Sequence, residues 1–360
     1  METQLDQTLA TLRREIRNLS PGNRLPSQLA LTQQLNVSNW TLSRAMAQLQ
    51  AEGLIRRKRR AGSVVTSPEP LRQVTGNLGL TATVEQWSSM SDQFLVGFMA
   101  GAAQNRKDIL LFPPLPDDLT PQMALKGIHW DKLDALALFG VFNPKVWQCF
   151  SAPARPVVSC DMDATACGIP SVVVDNAACA ELAVRHLTAL GHRRLAQVGD
   201  LEPGRRADPA LMERGAAFKK ACEREGLPLR PQNSLHFPRN HKVEPRELRP
   251  LFFGTDGRLR HDAPTALFYG GGGAHWSLIR ALEELGLHIP GQLSLLVCGP
   301  GNSYTPNGQK LTEVAADMHE MGTRAARMLF GLTLGRKIAL LEKTPVRLLN
   351  ETTVRPWQGS

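Results

Sequence analysis

Two short stretches near the start of the chain read as helices. The first carries Leu29, Leu31 and Leu35, and the second holds Leu42, Ala45, Met46 and Leu49 at spacings of three and four, one apolar stripe on one face. Ser27 suits the N-cap of the first, and Val37-Ser38 ends that helix and caps the next. Past Gly53 the pattern changes. Leu54-Ile55 opens a strand, Arg56, Arg57, Lys58, Arg59 and Arg60 fall at a hairpin tip, and Ala61-Gly62-Ser63 turns the chain into Val64-Val65-Thr66. The chain thus begins with two helices, a tight turn between them and a basic ribbon behind.

Ser67-Pro68-Glu69-Pro70 marks a boundary, because two prolines in four residues stop a strand and favour an extended connector. From Val74 onward short apolar or β-branched runs alternate with helical patterns. The strands expected are Gly79-Leu80-Thr81, Ile109 to Phe112, Ala135 to Leu138, Pro156 to Ser159, Val172 to Val174, Leu195 to Val198, Ala266 to Phe268 and Leu293 to Val297. Helices are expected around 92 to 105, from Ala178 to Leu190, from Met212 to Glu225 and through Leu285. Strands separated by helices imply parallel sheets, and two such series imply two lobes around a cleft. Such sheets bind ligands at the carboxyl ends of their strands. The predicted organisation is a reader over 1–66, a linker over 67–74 and a larger α/β unit over 75–360.

The formal charge of +9 is uneven: residues 1–66 hold ten Lys and Arg against four acids, so +6 of it lies there. That places the partner-seeking surface at the N-terminus. A basic ribbon alone is usually a solvated turn. Behind a helix-turn-helix it reads as a wing, whose cations lie along phosphates and give salt-dependent, mostly sequence-independent affinity for duplex DNA. Base and phosphate contacts are then expected from Ser27, Gln28, Ser38, Asn39, Thr41, Ser43 and Arg44, with Arg56, Arg57, Lys58, Arg59, Arg60 and Gly62 on the wing.

The six cysteines show no CxxC pair, and the histidines have no zinc-ligand spacing, so reduced, structural roles and no metal or cofactor are expected. The start of the chain reads as an amphipathic helix rather than a leader, and no apolar run suits a bilayer, so a cytoplasmic protein is expected. The glycine run Gly270 to Gly273 lacks the Lys-Ser or Lys-Thr of a phosphate loop.

Pro21-Gly22 before Leu25-Pro26-Ser27, Val37-Ser38 with Thr41, and Glu52-Gly53-Leu54-Ile55 ahead of Gly62 follow an order and spacing that resembles the winged helix-turn-helix of the GntR family. Two positions depart from it. Asn39 and Ser43 stand where that family frequently has arginine, so the bases read should differ from the family's usual ones.

VVVDNAACAELAVRHLTALGHRRLAQVG at 172–199, MERGAAFKKACEREGLP at 212–228 and PTALFYGGGGAHWSLIRALEELGLHIPGQLSLL at 264–296 resemble the LacI family, which is related to periplasmic sugar-binding proteins. The two resemblances together imply a ligand-responsive regulator of the arabinose-repressor type. On the matched positions they imply effector contacts at Arg214 and Asp92 and aromatic walls at Phe94 and Trp87. Polar pairs usual in the family are missing: Gly271-Gly272 replaces Asn-Asp, and Val297-Cys298-Gly299-Pro300 replaces Gly-aromatic-Asp-Asp. A ligand would then depend on other groups, such as Trp276, Asn302, Ser303 or Tyr304.

Three functional classes come into question. One is a homodimeric regulator, a repressor by family habit, on a pseudo-palindromic operator and controlled by a small, sugar-related effector. Another is a constitutive DNA-binding protein whose large domain only dimerises. The third, an enzyme, lacks a nucleophile elbow, metal motif or dinucleotide fingerprint.

Overall fold

The computed structural model describes residues 4–51, 54–58, 62–66, 75–83, 92–115, 127–141, 144–150, 155–200, 209–237, 241–271 and 275–358. The chain divides into two compact units, Met1–Thr75 and Gly76–Ser360.

In the first unit, α1 (Gln4–Arg17), α2 (Gln28–Leu35) and α3 (Asn39–Ala51) pack through Leu12, Ile16, Leu31, Leu42, Met46 and Leu49. The ribbon follows as β1 (Ile55–Lys58) and β2 (Gly62–Val65), antiparallel with Ile55 opposite Val65 and Lys58 opposite Gly62. Arg56, Arg57 and Lys58 therefore belong to a strand and not to the expected hairpin tip. Arg59 and Arg60 lie outside the described residues. Leu29, read as part of an apolar helix, is 68% exposed, because Leu31 alone among that helix's leucines is fully covered.

The second unit holds two six-stranded sheets. One comprises β3 (Asn77–Ala82), β4 (Asp108–Leu111), β5 (Ala135–Phe139), β6 (Val157–Cys160), β7 (Ser171–Val174) and β13 (Leu341–Thr344), in the order β13-β7-β6-β5-β3-β4 and parallel throughout. The other comprises β8 (Leu195–Asp200), β9 (Ser234–Phe237), β10 (Ala266–Tyr269), β11 (Ser294–Gly299), β12 (Thr312–Ala316) and β14 (Val346–Leu349), in the order β14-β12-β11-β10-β8-β9, with β14 antiparallel to β12. The expected strands form with the expected parallel pairing; the elements beyond Gly299 escaped sequence reading.

Helices cover both sheets: α4 (Asp92–Gln104), α5 (Pro144–Phe150) and α10 (Met318–Thr333) on the first, and α6 (Asn176–Ala189), α7 (Pro209–Arg224), α8 (Pro245–Phe252) and α9 (His275–Glu284) on the second. α4 and α10 cross at glycine contacts, so a Cβ on Gly97 would collide with the His319 carbonyl and one on Gly322 with that of Phe94. Strands buried on both faces are near-continuous apolar runs, as Ala135 to Phe139 and Val172 to Val174 show.

The chain passes between the lobes at three places, Asp175, Asp317 and Pro345, which lie side by side. The Asp175 amide donates to the Thr344 carbonyl at 3.3 Å and the Asp317 amide to that of Pro345 at 3.1 Å. Each aspartate also caps the helix that follows, accepting from Ala178 and Glu320. Three short tethers set side by side in this way are the usual place for a hinge between two lobes.

Candidate DNA-reading surface and effector cleft

α2 and α3 are set by their caps. Ser27 Oγ accepts from the Ala30 amide at 3.2 Å, Asn36 ends α2 in the left-handed region at φ 49°, and Ser38 Oγ accepts from the Thr41 amide at 3.0 Å. With Leu42, Ala45, Met46 and Leu49 on the core, Asn39, Ser43 and Arg44 face outward with Ser38. Gln28 is exposed at the start of α2. Thr41 differs from expectation: it is buried, and its hydroxyl lies 2.9 Å from that of Ser38, bracing the turn rather than offering a DNA contact.

Two residues of this surface do not announce themselves in the sequence. Trp40, on the first turn of α3, is 67% exposed, and the Arg44 guanidinium carbon lies 4.7 Å from its ring centroid. Residues 22–25 run beside β2, with Gly22 donating to Val65 at 2.8 Å and Leu25 to Ser63 at 2.9 Å, which sets exposed Arg24 next to the wing. A helical period identifies the buried face; it does not say which apolar residue is left out.

In the second unit, Arg214 of α7 is buried. Its Nε and Nη2 donate to Asn176 Oδ1 at 3.2 and 2.8 Å, and its Nη1 donates to the Gly270 carbonyl. The network continues to the hinge. Asn176 Nδ2 donates to Glu213 at 3.0 Å, and Lys343 Nζ stands 3.8 Å from Glu213 and 3.4 Å from Asp175. Beside it, near the carboxyl ends of β8 and β10, a recess is lined by Gln197, Gly199, Leu211, His236, Phe268 and Gly270. Gln197 Nε2 donates to Ser234 at 2.6 Å, whereas its Oε1 is buried without a hydrogen-bond partner among the described residues.

The replaced polar pairs have structural counterparts. Gly271 has φ +108°, and a Cβ there would come 2.9 Å from Arg214 Nη1 and 3.2 Å from the Cys298 carbonyl, so glycine admits the arginine. A Cβ on Gly299 would collide with Glu313 Oε1. Glu313 reaches over from β12, fully buried, and accepts from the amides of Gly301 at 2.9 Å and Ser303 at 3.1 Å and from the Ser303 hydroxyl at 3.1 Å. Burial is the larger influence on its carboxyl and raises it above the ordinary value, against the pull of these donors.

The other expected effector residues scatter. Phe94 is fully buried in the first lobe's core, 4.6 Å from the Phe139 ring, and so packs the sheet instead of walling a cleft. Asp92 is exposed on the first turn of α4. Trp276 and Tyr304 are 57% and 39% exposed and do not line the recess. Trp87 lies outside the described residues. Cys160, Cys179, Cys222 and Cys298 are buried free thiols. His192 is structural, lying 2.9 Å from the Thr265 hydroxyl and 3.0 Å from the Arg355 carbonyl. Among the described residues no helix is long and apolar enough to cross a membrane, and no His, Cys, Asp and Glu group suits a metal ion.

A winged helix-turn-helix ahead of two hinged α/β lobes defines a DNA-binding transcription regulator with a periplasmic-binding-protein-like domain. A model of the bacterial regulatory proteins of the gntR family matches residues 5–65, and one of the periplasmic binding protein-like domain matches residues 184–349. The chain thus joins a GntR-type reader to a LacI-like domain and is homologous to arabinose metabolism repressors.

It is 23% identical over 353 residues to the arabinose metabolism transcriptional repressor of Geobacillus stearothermophilus, across 94% of this chain and 90% of that protein. It is 26% identical over 192 residues to the HTH-type transcriptional repressor PurR of Serratia proteamaculans, across 53% and 52%. A regulatory protein of the LacI family from Chloroflexus aggregans shares the fold with a TM-score of 0.63 at 19% identity, over 78% of this chain and 99% of that one. These relatives are regulators and not enzymes.

Proposed function

We propose that the chain is a cytoplasmic, effector-controlled repressor that binds a pseudo-palindromic operator as a homodimer. Residues 1–66 would read DNA, 67–74 would link, and 75–360 would sense and dimerise. Two readers related by a twofold axis suit half-sites in successive major grooves. The observation that carries effector control is the Arg214 network: its guanidinium donates to the carbonyl of Gly270, which lines the recess where the buried Gln197 Oε1 has no partner among the described residues, and it is wired through Asn176 and Glu213 to Asp175 and Lys343 between the lobes. A ligand that offers a donor to Gln197 and competes for Arg214 would bias the lobe equilibrium by its differential affinity for the two states. The recess itself is no larger than a water molecule, so a polyhydroxylated, sugar-related effector would enter only with the lobes parted.

A constitutive regulator is the second reading, favoured by Gly271 and by an Arg214 whose fork already rests on Asn176 and Gly270. Selection of genomic fragments by the purified protein, repeated with sugars, sugar acids and nucleosides, separates the two. Release or tightening of an enriched palindrome by one compound supports effector control; sites indifferent to every compound support the constitutive reading; no enrichment rejects both.

A further inference from the structure

Trp40 is not explained by the packing of its own unit. The buried stripe of α3 runs through Leu42, Ala45, Met46 and Leu49, all at most 1% exposed, while Trp40 leaves 67% of its surface to solvent. A single exposed apolar residue is ordinary on a protein surface. This one stands on the first turn of the second helix of a helix-turn-helix, directly after Asn39, and the guanidinium of Arg44 one turn on is stacked over its ring at 4.7 Å. At an exposed site a contact of this kind is weak, so it biases the indole toward this orientation while the guanidinium N–H groups can still meet phosphate or base.

What an indole can recognise in a major groove is restricted. It has a large apolar face and a single N–H donor, and of the groups on the groove floor only the thymine 5-methyl is apolar. We infer that Trp40 reads a thymine methyl group in each operator half-site, with Asn39 beside it suited to an adjacent adenine. This deepens the operator reading and rests on it: Asn39 and Ser43 leave the helix short of long cations, and a methyl contact supplies discrimination that phosphate contacts do not.

The test uses the full-length protein. A binding site is selected from random duplex DNA, and each thymine in it is replaced singly by uracil, which pairs identically and lacks only the methyl. We expect one thymine per half-site whose replacement weakens binding about fourfold, the effect of burying one methyl group. Trp40→Ala should abolish that dependence, and Trp40→Leu, which keeps an apolar side chain, should retain part of it. Equal affinity for uracil at every position, or an undiminished uracil penalty in Trp40→Ala, overturns the inference and leaves the operator reading standing. Failure to enrich any sequence overturns both.

Discussion

Arg44 lies outward on α3 with its guanidinium shared between the Trp40 ring and solvent, free to meet a base edge. Arg44→Ala should weaken binding to the selected operator by about 1–3 kcal/mol, measured by titration against unrelated DNA. Equal loss on both DNAs would make it a phosphate contact, and no loss would take it off the surface. Glu313 carries a pH signature. Its carboxyl is raised in the folded protein, so the folded state holds the proton more tightly than the unfolded one, and stability should decline as pH rises above the ordinary glutamate value of 4.5 toward the raised one. The difference in stability between wild type and Glu313→Gln across pH 4 to 7 should carry this slope, the histidine contribution being common to both. At this scale the caps Ser27 and Ser38 were legible, because local chemistry marks them. Trp40 and Glu313 were not. Their roles depend on which side of α3 the core covers, and on a neighbouring strand whose glycine at 299 makes room for a carboxylate.

The wing and the α4–α10 crossing are properties of whole elements. Replacing Arg56 and Arg57 with Gln should lower affinity for specific and unrelated DNA alike and flatten the dependence of log K on log salt by about one unit for each phosphate no longer neutralised. A slope equal to wild type would remove β1 from the DNA. Where α4 meets α10, Gly322→Ala would drive a methyl into the Phe94 carbonyl and Phe98 amide, and overpacking of that kind costs about 1–3 kcal/mol. A lowered denaturant midpoint without change in operator preference is expected. The period of α4 predicts a helix over 92–105, while the family resemblance implies a ligand wall at Phe94. That assignment failed to foresee α10, whose contribution from more than two hundred residues further along seals the ring into the core. Strand β1 begins where Leu54-Ile55 predicts but runs on through Arg56, Arg57 and Lys58, since a run of cations resembles a solvated tip until Gly62 to Val65 pairs against it.

Across the molecule, burial lowers His186, His192, His236 and His275 below the ordinary value of 6.5. Each therefore takes up a proton more readily when unfolded, and stability should fall as pH drops below about 6.5. Thermal midpoints of Glu313→Gln, which lacks the opposing glutamate slope, unchanged between pH 7 and 5.5 would refute this. The alternation of apolar runs made the two sheets legible up to β11 except for the edge strand β9, and β13 and β14 give no such cue because they too are edge strands with mixed polar and apolar residues. The return of α10 to the first lobe has a consequence for how the protein is made. The first lobe needs residues 318–344 as well as 77–174, and the second needs 346–349 to complete its edge. During synthesis neither sheet can close until nearly the whole chain has left the ribosome, while the reader at the N-terminus has long been complete. Any message cut short before Pro345 would then yield a finished reader joined to two unfinished sheets.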